Sequence, residues 1–170
     1  MPTLHVCPLS CLHDTVATTR ASHVVTLINV GSPVERPSSV AADRHLFIGV
    51  SDIVEPLDGH ILPEAQHIEQ LLSFVRAWGR DSPLVFHCWA GISRSTAAAY
   101  ISACALAPER DEAVIARALR EASPSATPNA RFIALADDIL GRNGRMVDAV
   151  RAIGRGQEAF EGTPFTLRLA

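Results

Sequence analysis

The stretch VFHCWAGISRSTAAAY, residues 85–100, sets a histidine, a thiol, a glycine, an arginine and two serines between an apolar run and an alanine-rich one. Cys88 is followed six residues later by Arg94, with Gly91 midway and Ser95 next in line. A short loop between a strand and a helix can curl until its backbone N–H groups point inward. Gly91 permits that curvature and a close approach of backbone to ligand. The inward groups would come from Trp89, Ala90, Gly91, Ile92, Ser93 and Arg94. A helix starting near Arg94 turns the positive end of its dipole to the same spot. Such a nest suits a tetrahedral oxyanion, and Arg94 adds a planar two-pronged fork for two of its oxygens. Cys88 then lies at the floor of an electropositive cup, a setting that favours the thiolate, the nucleophilic form. His87 can steady the loop through a hydrogen bond, and the Ser95 hydroxyl can donate to the sulfur. A nucleophile beneath a bound phosphate is placed for in-line phosphoryl transfer. Each residue alone has a plainer reading: a buried strand-end cysteine, a solvated arginine, a turn glycine. The conjunction points to chemistry.

The elements that must position this loop are legible as short apolar runs and longer periodic ones. LHVCPL (4–9), HVVTLINV (23–30), HLFIGV (45–50) and LVFHC (84–88) are too short for helices and read as buried strands. Residues 63–78 repeat apolar side chains at Ala65, Ile68, Leu72, Val75 and Trp78, with Pro63 expected in the first helical turn. Further helices are expected from after Arg94 to Pro108, from about Glu109 to Ala122, and from Thr127 as cap with Pro128 first. A last one is expected over 145–153, and the tail TPFTLRLA reads as an edge strand or a docked extension. Strands alternating with helices imply an α/β fold with a central, mostly parallel sheet of about four to five strands. The loop after the fourth strand would then sit at the carboxyl edge of the sheet, where such folds bind ligands.

Composition narrows the partners. A chain of 170 residues with 48% hydrophobic and 19% charged residues is expected to form one domain spanning 1–170. The net charge of −3 offers no basic field for nucleic acid or an anionic membrane. All fifteen basic residues are arginine, so neither a P-loop lysine nor a Schiff base is available. The first residues carry no basic, apolar leader, and no window reaches transmembrane length, so the expected compartment is the cytoplasm with reduced thiols. Cys7 and Cys11 lack a second ligand pair at zinc spacing, and no metal or other cofactor is expected.

HCWAGISRS resembles the signature loop of the cysteine-dependent protein tyrosine phosphatase superfamily, and AGISRS is most similar to its dual-specificity branch. The resemblance runs over about residues 23–141, leaving 142–170 as a C-terminal helix and tail. FIGVSD looks like the strand that ends in that branch's general-acid aspartate, and TPNARFIALADDIL is similar to its late helix. The resemblance implies Cys88 as nucleophile, Arg94 as phosphate clamp, Ser95 as stabiliser of the leaving thiolate, and Asp52 as general acid. Asn129 matches a family position near the loop. It implies a metal-free phosphomonoesterase with a cysteinyl-phosphate intermediate, acting on phosphotyrosine, or phosphoserine and phosphothreonine as well, in proteins. A small phosphate ester as substrate, a sulfur-transferring or arsenate-reducing thiol, and a non-catalytic phosphate-binding adaptor stand as alternatives.

The interval from Asp52 to Cys88 is longer than in small enzymes of that branch. It holds IVEPLDGHILPE, which leaves Glu55 and Asp58 as rivals for the acid, although the DG pair also reads as a turn. The loop lacks the extra basic residues of inositol-phospholipid phosphatases. Elsewhere, Trp89 is expected to pack its ring on the core, and Tyr100 and Cys104 to be core. His5, His13, His23, His45, His60 and His67 are expected to be surface or satisfied polar residues. Arg36, Arg44 and Arg131 are expected to be solvated, with bordering the pocket as their alternative.

Overall fold

The computed structural model describes residues 2–170. Five strands form one sheet: β1 Thr3–Pro8, β2 His23–Ile28, β3 His45–Gly49, β4 Leu84–Cys88 and β5 Phe165–Arg168. Their order is β3-β2-β4-β1-β5, parallel except for β5, which runs antiparallel along β1. The tail is thus the edge strand. The central strand, β4, is buried along its whole length, because neighbours flank it on both sides and helices cover both faces. This is the α/β architecture that the alternation of runs implied.

The strand alternation sorts the core into two layers. Leu4, Val6, Val25, Leu27, Leu84 and Phe86 face a large cluster built with α2 (Ala65–Ala77), α3 (Arg94–Leu106), α4 (Glu112–Ala122), α5 (Ala130–Ile139) and α6 (Arg145–Ile153). Cys7, Val24 and Val85 face the other way, onto Leu12 and Val16 of α1, Leu12–Thr19. Nearly every residue of α3 is buried, as its alanine-rich, all-round apolar sequence requires. Tyr100 and Cys104 lie in that core as expected, with the Tyr100 hydroxyl donating to the Glu112 carbonyl.

Three local expectations need correction. The helix α1 was not anticipated, because only Leu12, Thr15 and Val16 of its eight residues are buried and its threonines and valine favour strands. The helix α2 starts after Glu64, not with Pro63 in its first turn. The Glu64 N–H donates to His67 Nδ1, which fixes Glu64 as the cap. The helix α5 is capped by Asn129 rather than Thr127, its Oδ1 accepting from the N–H groups of Arg131 and Phe132. Thr127 is engaged elsewhere: its N–H donates to the Ile92 carbonyl and its hydroxyl accepts from the Gly156 N–H.

A buried ion pair ties the start of α6 and the turn before it to α4, with a hydrogen bond onward to α3. Arg142 donates to Glu112 at 2.8 Å and to the Cys104 carbonyl at 2.9 Å, while Arg145 approaches the same carboxylate at 3.2 Å. Burial alone would raise the Glu112 carboxyl, but its own backbone N–H and the two arginines outweigh that and hold it below the usual range. Its folded-state value is depressed, so its stabilisation is present above the unfolded glutamate value of about 4.3 and is lost as pH falls through the folded value. Glu112→Ala leaves Arg142 buried without its counter-charge and is expected to cost about 3–5 kcal/mol. Denaturant melts at pH 7 and pH 3 check this: the wild-type advantage over the variant should shrink at the lower pH.

Candidate active site

The strand β4 ends at Cys88, and α3 begins at Arg94, so residues 89–93 form the loop between them at the centre of the sheet's carboxyl edge. The loop's carbonyls are drawn outward by four N–H groups from three separate parts of the chain. Trp89 O accepts from the Leu9 N–H at 3.1 Å, and Ala90 O from the Gly162 N–H at 2.8 Å. Ile92 O accepts from Thr127 at 2.9 Å, and Ser93 O from Asn129 at 3.2 Å. In a planar trans peptide the following N–H points opposite to the carbonyl, so outward carbonyls turn N–H groups inward. The Gly91 N–H does so visibly, lying 3.3 Å from Cys88 Sγ.

Gly91 is required twice over. Its φ is +69°, and a Cβ would stand 2.7 Å from the Pro8 nitrogen, so the loop rests directly on the end of β1. Trp89 is 56% exposed rather than packed on the core as expected.

The thiol of Cys88 is buried at the base of this curl, 3.0 Å from Ser95 Oγ. Arg94, 6% exposed, folds back across the edge of the sheet. One of its terminal nitrogens donates to Asn29 Oδ1 at 2.7 Å and to the Val50 carbonyl at 2.9 Å, at the ends of β2 and β3. Its Nε–H is buried and has no partner among the described residues. A buried, charged donor without an acceptor is costly in a purely structural role.

His87 is fully buried below Cys88, its Nε2 2.6 Å from Thr26 Oγ1, which is itself 2.7 Å from His45 Nε2. Burial pushes the His87 imidazole down to about 4, against a backbone hydrogen bond to Cys88 that raises it. The ring is therefore neutral at pH 7, with Nδ1 toward the Cys88 carbonyl at 3.4 Å. Burial also pushes the Cys7 and Cys104 thiols up to about 12, which makes them inert core groups.

Asp52 follows β3 and reaches the loop from the side. Its Oδ1 accepts from Ser93 Oγ at 2.7 Å and from Asn129 Nδ2 at 2.9 Å. Asn129 thus caps α5 with its oxygen and orients Asp52 with its nitrogen. The long interval after Asp52 does not displace it, because Ser51 and Ile61 pair at the base of the excursion through N–H to carbonyl contact at 2.9 Å. Residues 52–60 are looped out above that pair. Asp58 sits in the turn closed by the His60 N–H on the Leu57 carbonyl, with Gly59 at φ +77°, as its DG pair indicated. Glu55 lines a cavity beside Ser93.

Cys88, Arg94, Ser95, Asp52 and Asn129 are therefore brought together, along with the backbone of 89–94. Arg36 and Arg131 do not join them. Arg36 donates to the Val40 carbonyl, and Arg131 donates to the Pro63 carbonyl at 2.6 Å and pairs with Glu64. Arg44 lines a separate cavity with His23. Two contributors were missed, Asn29 and Thr26. Their signal was a polar residue within or ending the apolar run HVVTLINV, since a polar side chain in a buried strand demands a partner.

No family model matches the sequence, and no curated protein matches it. Solved structures do. DUSP15 is similar with a TM-score of 0.66 at 18% identity, covering 90% of this chain and 91% of that one. A mouse putative dual specificity phosphatase complexed with zinc tungstate matches at 0.60 and 20%, covering 88% and 86%. The Yvh1 phosphatase domain from Chaetomium thermophilum matches at 0.61 and 21%, covering 84% and 93%. At these identities the likeness is one of architecture: the chain has the fold of the dual-specificity phosphatases.

Proposed function

We propose that the protein is a phosphomonoesterase working through a cysteinyl-phosphate intermediate. The observation that carries this reading is the buried, unpartnered Nε–H of Arg94 beside a curl of inward N–H groups over the Cys88 sulfur. Asn29 and the Val50 carbonyl hold one end of the guanidinium, and in this reading the unpartnered Nε–H is what serves an oxyanion. One fold neighbour is a putative dual specificity phosphatase complexed with zinc tungstate, and tungstate is a tetrahedral oxyanion of the kind this reading places in the cup.

In the first step the Cys88 thiolate attacks phosphorus, an S–P bond forms and the ester P–O bond breaks. Protonated Asp52 gives its proton to the leaving oxygen. Its Oδ1 is held by Ser93 and Asn129, which leaves Oδ2 to carry that proton. In the second step water attacks phosphorus while the Asp52 carboxylate takes its proton, and the S–P bond breaks. The returning thiolate is received by the Ser95 hydroxyl and the Gly91 N–H. Charge on the transferring group is balanced by Arg94 and the backbone dipoles, so no step calls for a metal. The substrates we assign are proteins bearing phosphotyrosine, with phosphoserine and phosphothreonine as poorer leaving groups.

Turnover of para-nitrophenyl phosphate tests the reading, in buffer with and without EDTA. Hydrolysis should proceed equally in both, and iodoacetate should inactivate the enzyme with protection by phosphate. Peptide mapping should place the protected label on Cys88. Cys7 and Cys104 should stay unlabelled at pH 7, since burial keeps them as neutral thiols. Absence of turnover, or activity that disappears in EDTA and returns with a divalent ion, would overturn it.

A further inference from the structure

Two clefts adjoin at Asp52 and Ser93, beside the cup and without Cys88 or Arg94 in their lining. One, of about 950 Å³, is bounded by α6 and the segment after it, with Val150, Arg151 and Phe160 on its wall. The other, of about 550 Å³, runs under the looped-out residues, with Val54 and Leu57 on its wall. Both are lined by Asp52, Ser93, Thr127 and Pro128, so they form one groove that passes beside the proposed acid. A small phosphate ester would occupy the cup and leave both arms unused.

The walls of the arms are unusual for a solvated surface. Val54 is 47% exposed, Leu57 56% and Phe160 84%, and all three sit at the edge of the groove. Val54 and Leu57 line the same cleft, and exposed apolar side chains grouped in this way mark an interaction surface, while Phe160 stands on the wall of the other. The charges differ between the arms. Arg151 and Arg155 belong to the Phe160 arm, where Arg155 pairs with Glu158 and Arg151 has no ion pair among the described residues. The Val54–Leu57 arm carries Glu55 and no arginine. An anionic lipid surface fits poorly, because the chain is net −3 and has no basic cluster at this mouth.

We infer that the groove seats the residues flanking a phosphorylated side chain in a protein segment, an apolar one on the Val54–Leu57 arm and an acidic one beside Arg151. The inference rests on the phosphatase reading for the position of the phosphate, and it names the substrate class for that site. The segment lies extended across Ser93 and Pro128, its phosphate in the cup and its neighbours in the two arms. Binding of the flanks positions the ester oxygen toward Asp52.

The test uses phosphotyrosine peptides with leucine two residues to one side and glutamate two residues to the other, in both orders, and a control with serine at both positions. One order should show a KM about tenfold below the serine control, the scale of burying one leucine side chain. Leu57→Ser should remove most of that advantage, and Arg151→Glu should remove the part contributed by glutamate, bringing that peptide toward the serine control. Both variants should hydrolyse para-nitrophenyl phosphate like the wild type, because neither touches the cup. Peptide affinity is read in parallel by calorimetry on Cys88→Ser, which separates the two readings. An inert wild type whose Cys88→Ser form still discriminates the peptides overturns the phosphatase and keeps the groove. Active enzyme with equal KM for all three peptides, or stimulation by phosphatidylserine vesicles in place of peptide preference, overturns the groove.

Discussion

Cys88→Ser is expected to abolish hydrolysis of para-nitrophenyl phosphate, on the order of 10⁶-fold as for other nucleophile deletions, while still binding tungstate. Arg94→Lys is expected to lose both turnover and binding. The contrast follows from geometry. Serine keeps the size of the side chain and leaves the inward N–H groups and the guanidinium in place, so the cup survives without its nucleophile. Lysine keeps the charge of Arg94 but has a single nitrogen. Arg94 uses one terminal nitrogen to hold Asn29 Oδ1 and the Val50 carbonyl, and its Nε–H is left without a partner; in the proposed reading that Nε–H serves the oxyanion. A lysine nitrogen can serve one of these places but not both. If it stays with Asn29 and Val50, the oxyanion loses its fork, and if it turns inward, two buried acceptors are stranded. Turnover should fall by roughly 10²–10³-fold or more, close to the loss in Arg94→Ala. Steady-state kinetics on all three variants, with tungstate binding by calorimetry, checks the pattern. An Arg94→Lys enzyme near wild-type rate would mean that only the net charge of Arg94 matters.

How far the site could be read from residues alone has a physical boundary. The shape of the loop 88–95 was legible because it is local: strand, curl and helix start are consecutive, and Gly91 marks the turn. The strands β1 to β4 were legible because buried parallel strands are continuous apolar runs. The braces of the loop were not. The Gly162 N–H that holds the Ala90 carbonyl comes from a segment far along the chain, and so does Glu161, which accepts from Ser10 Oγ at 2.9 Å. No periodicity announces such contacts. Gly162 itself has a physical signature only once folded, since a Cβ there would lie 2.8 Å from the Gly91 carbonyl oxygen. Asn129 shows the same limit in a sharper form. As an asparagine before a helix it was readable as a cap, yet Thr127-Pro128 offered an equally good start. What decided between them was Asp52, to which Asn129 donates its amide, and that contact spans two distant elements.

That contact bears on the least local assignment, the acid. A proton donor matters in proportion to how poor the leaving group is. Para-nitrophenolate departs without a proton, the phenolate of tyrosine less readily, and the alkoxide of serine hardly at all. Asp52→Asn is therefore expected to slow phosphotyrosine peptide hydrolysis by roughly 10²–10⁴-fold, the range of a positioned general acid. Loss with para-nitrophenyl phosphate should be visibly smaller. Asparagine can still accept from Ser93 and Asn129 through its oxygen, so the variant keeps the contacts that dock the 52–60 excursion and should melt near the wild-type temperature. Asp58→Asn should leave both substrates nearly untouched, because Asp58 occupies a turn that Gly59 and the Leu57–His60 hydrogen bond already define. Glu55→Gln should behave likewise, although Glu55 lines the cleft next to Ser93. Single-turnover rates on the two substrates, compared across the three variants, decide the matter. A leaving-group-dependent loss in Asp58→Asn or Glu55→Gln, with none in Asp52→Asn, would move the acid onto the excursion. It would also reduce the Ser93–Asp52–Asn129 cluster to a latch that holds the loop against α5.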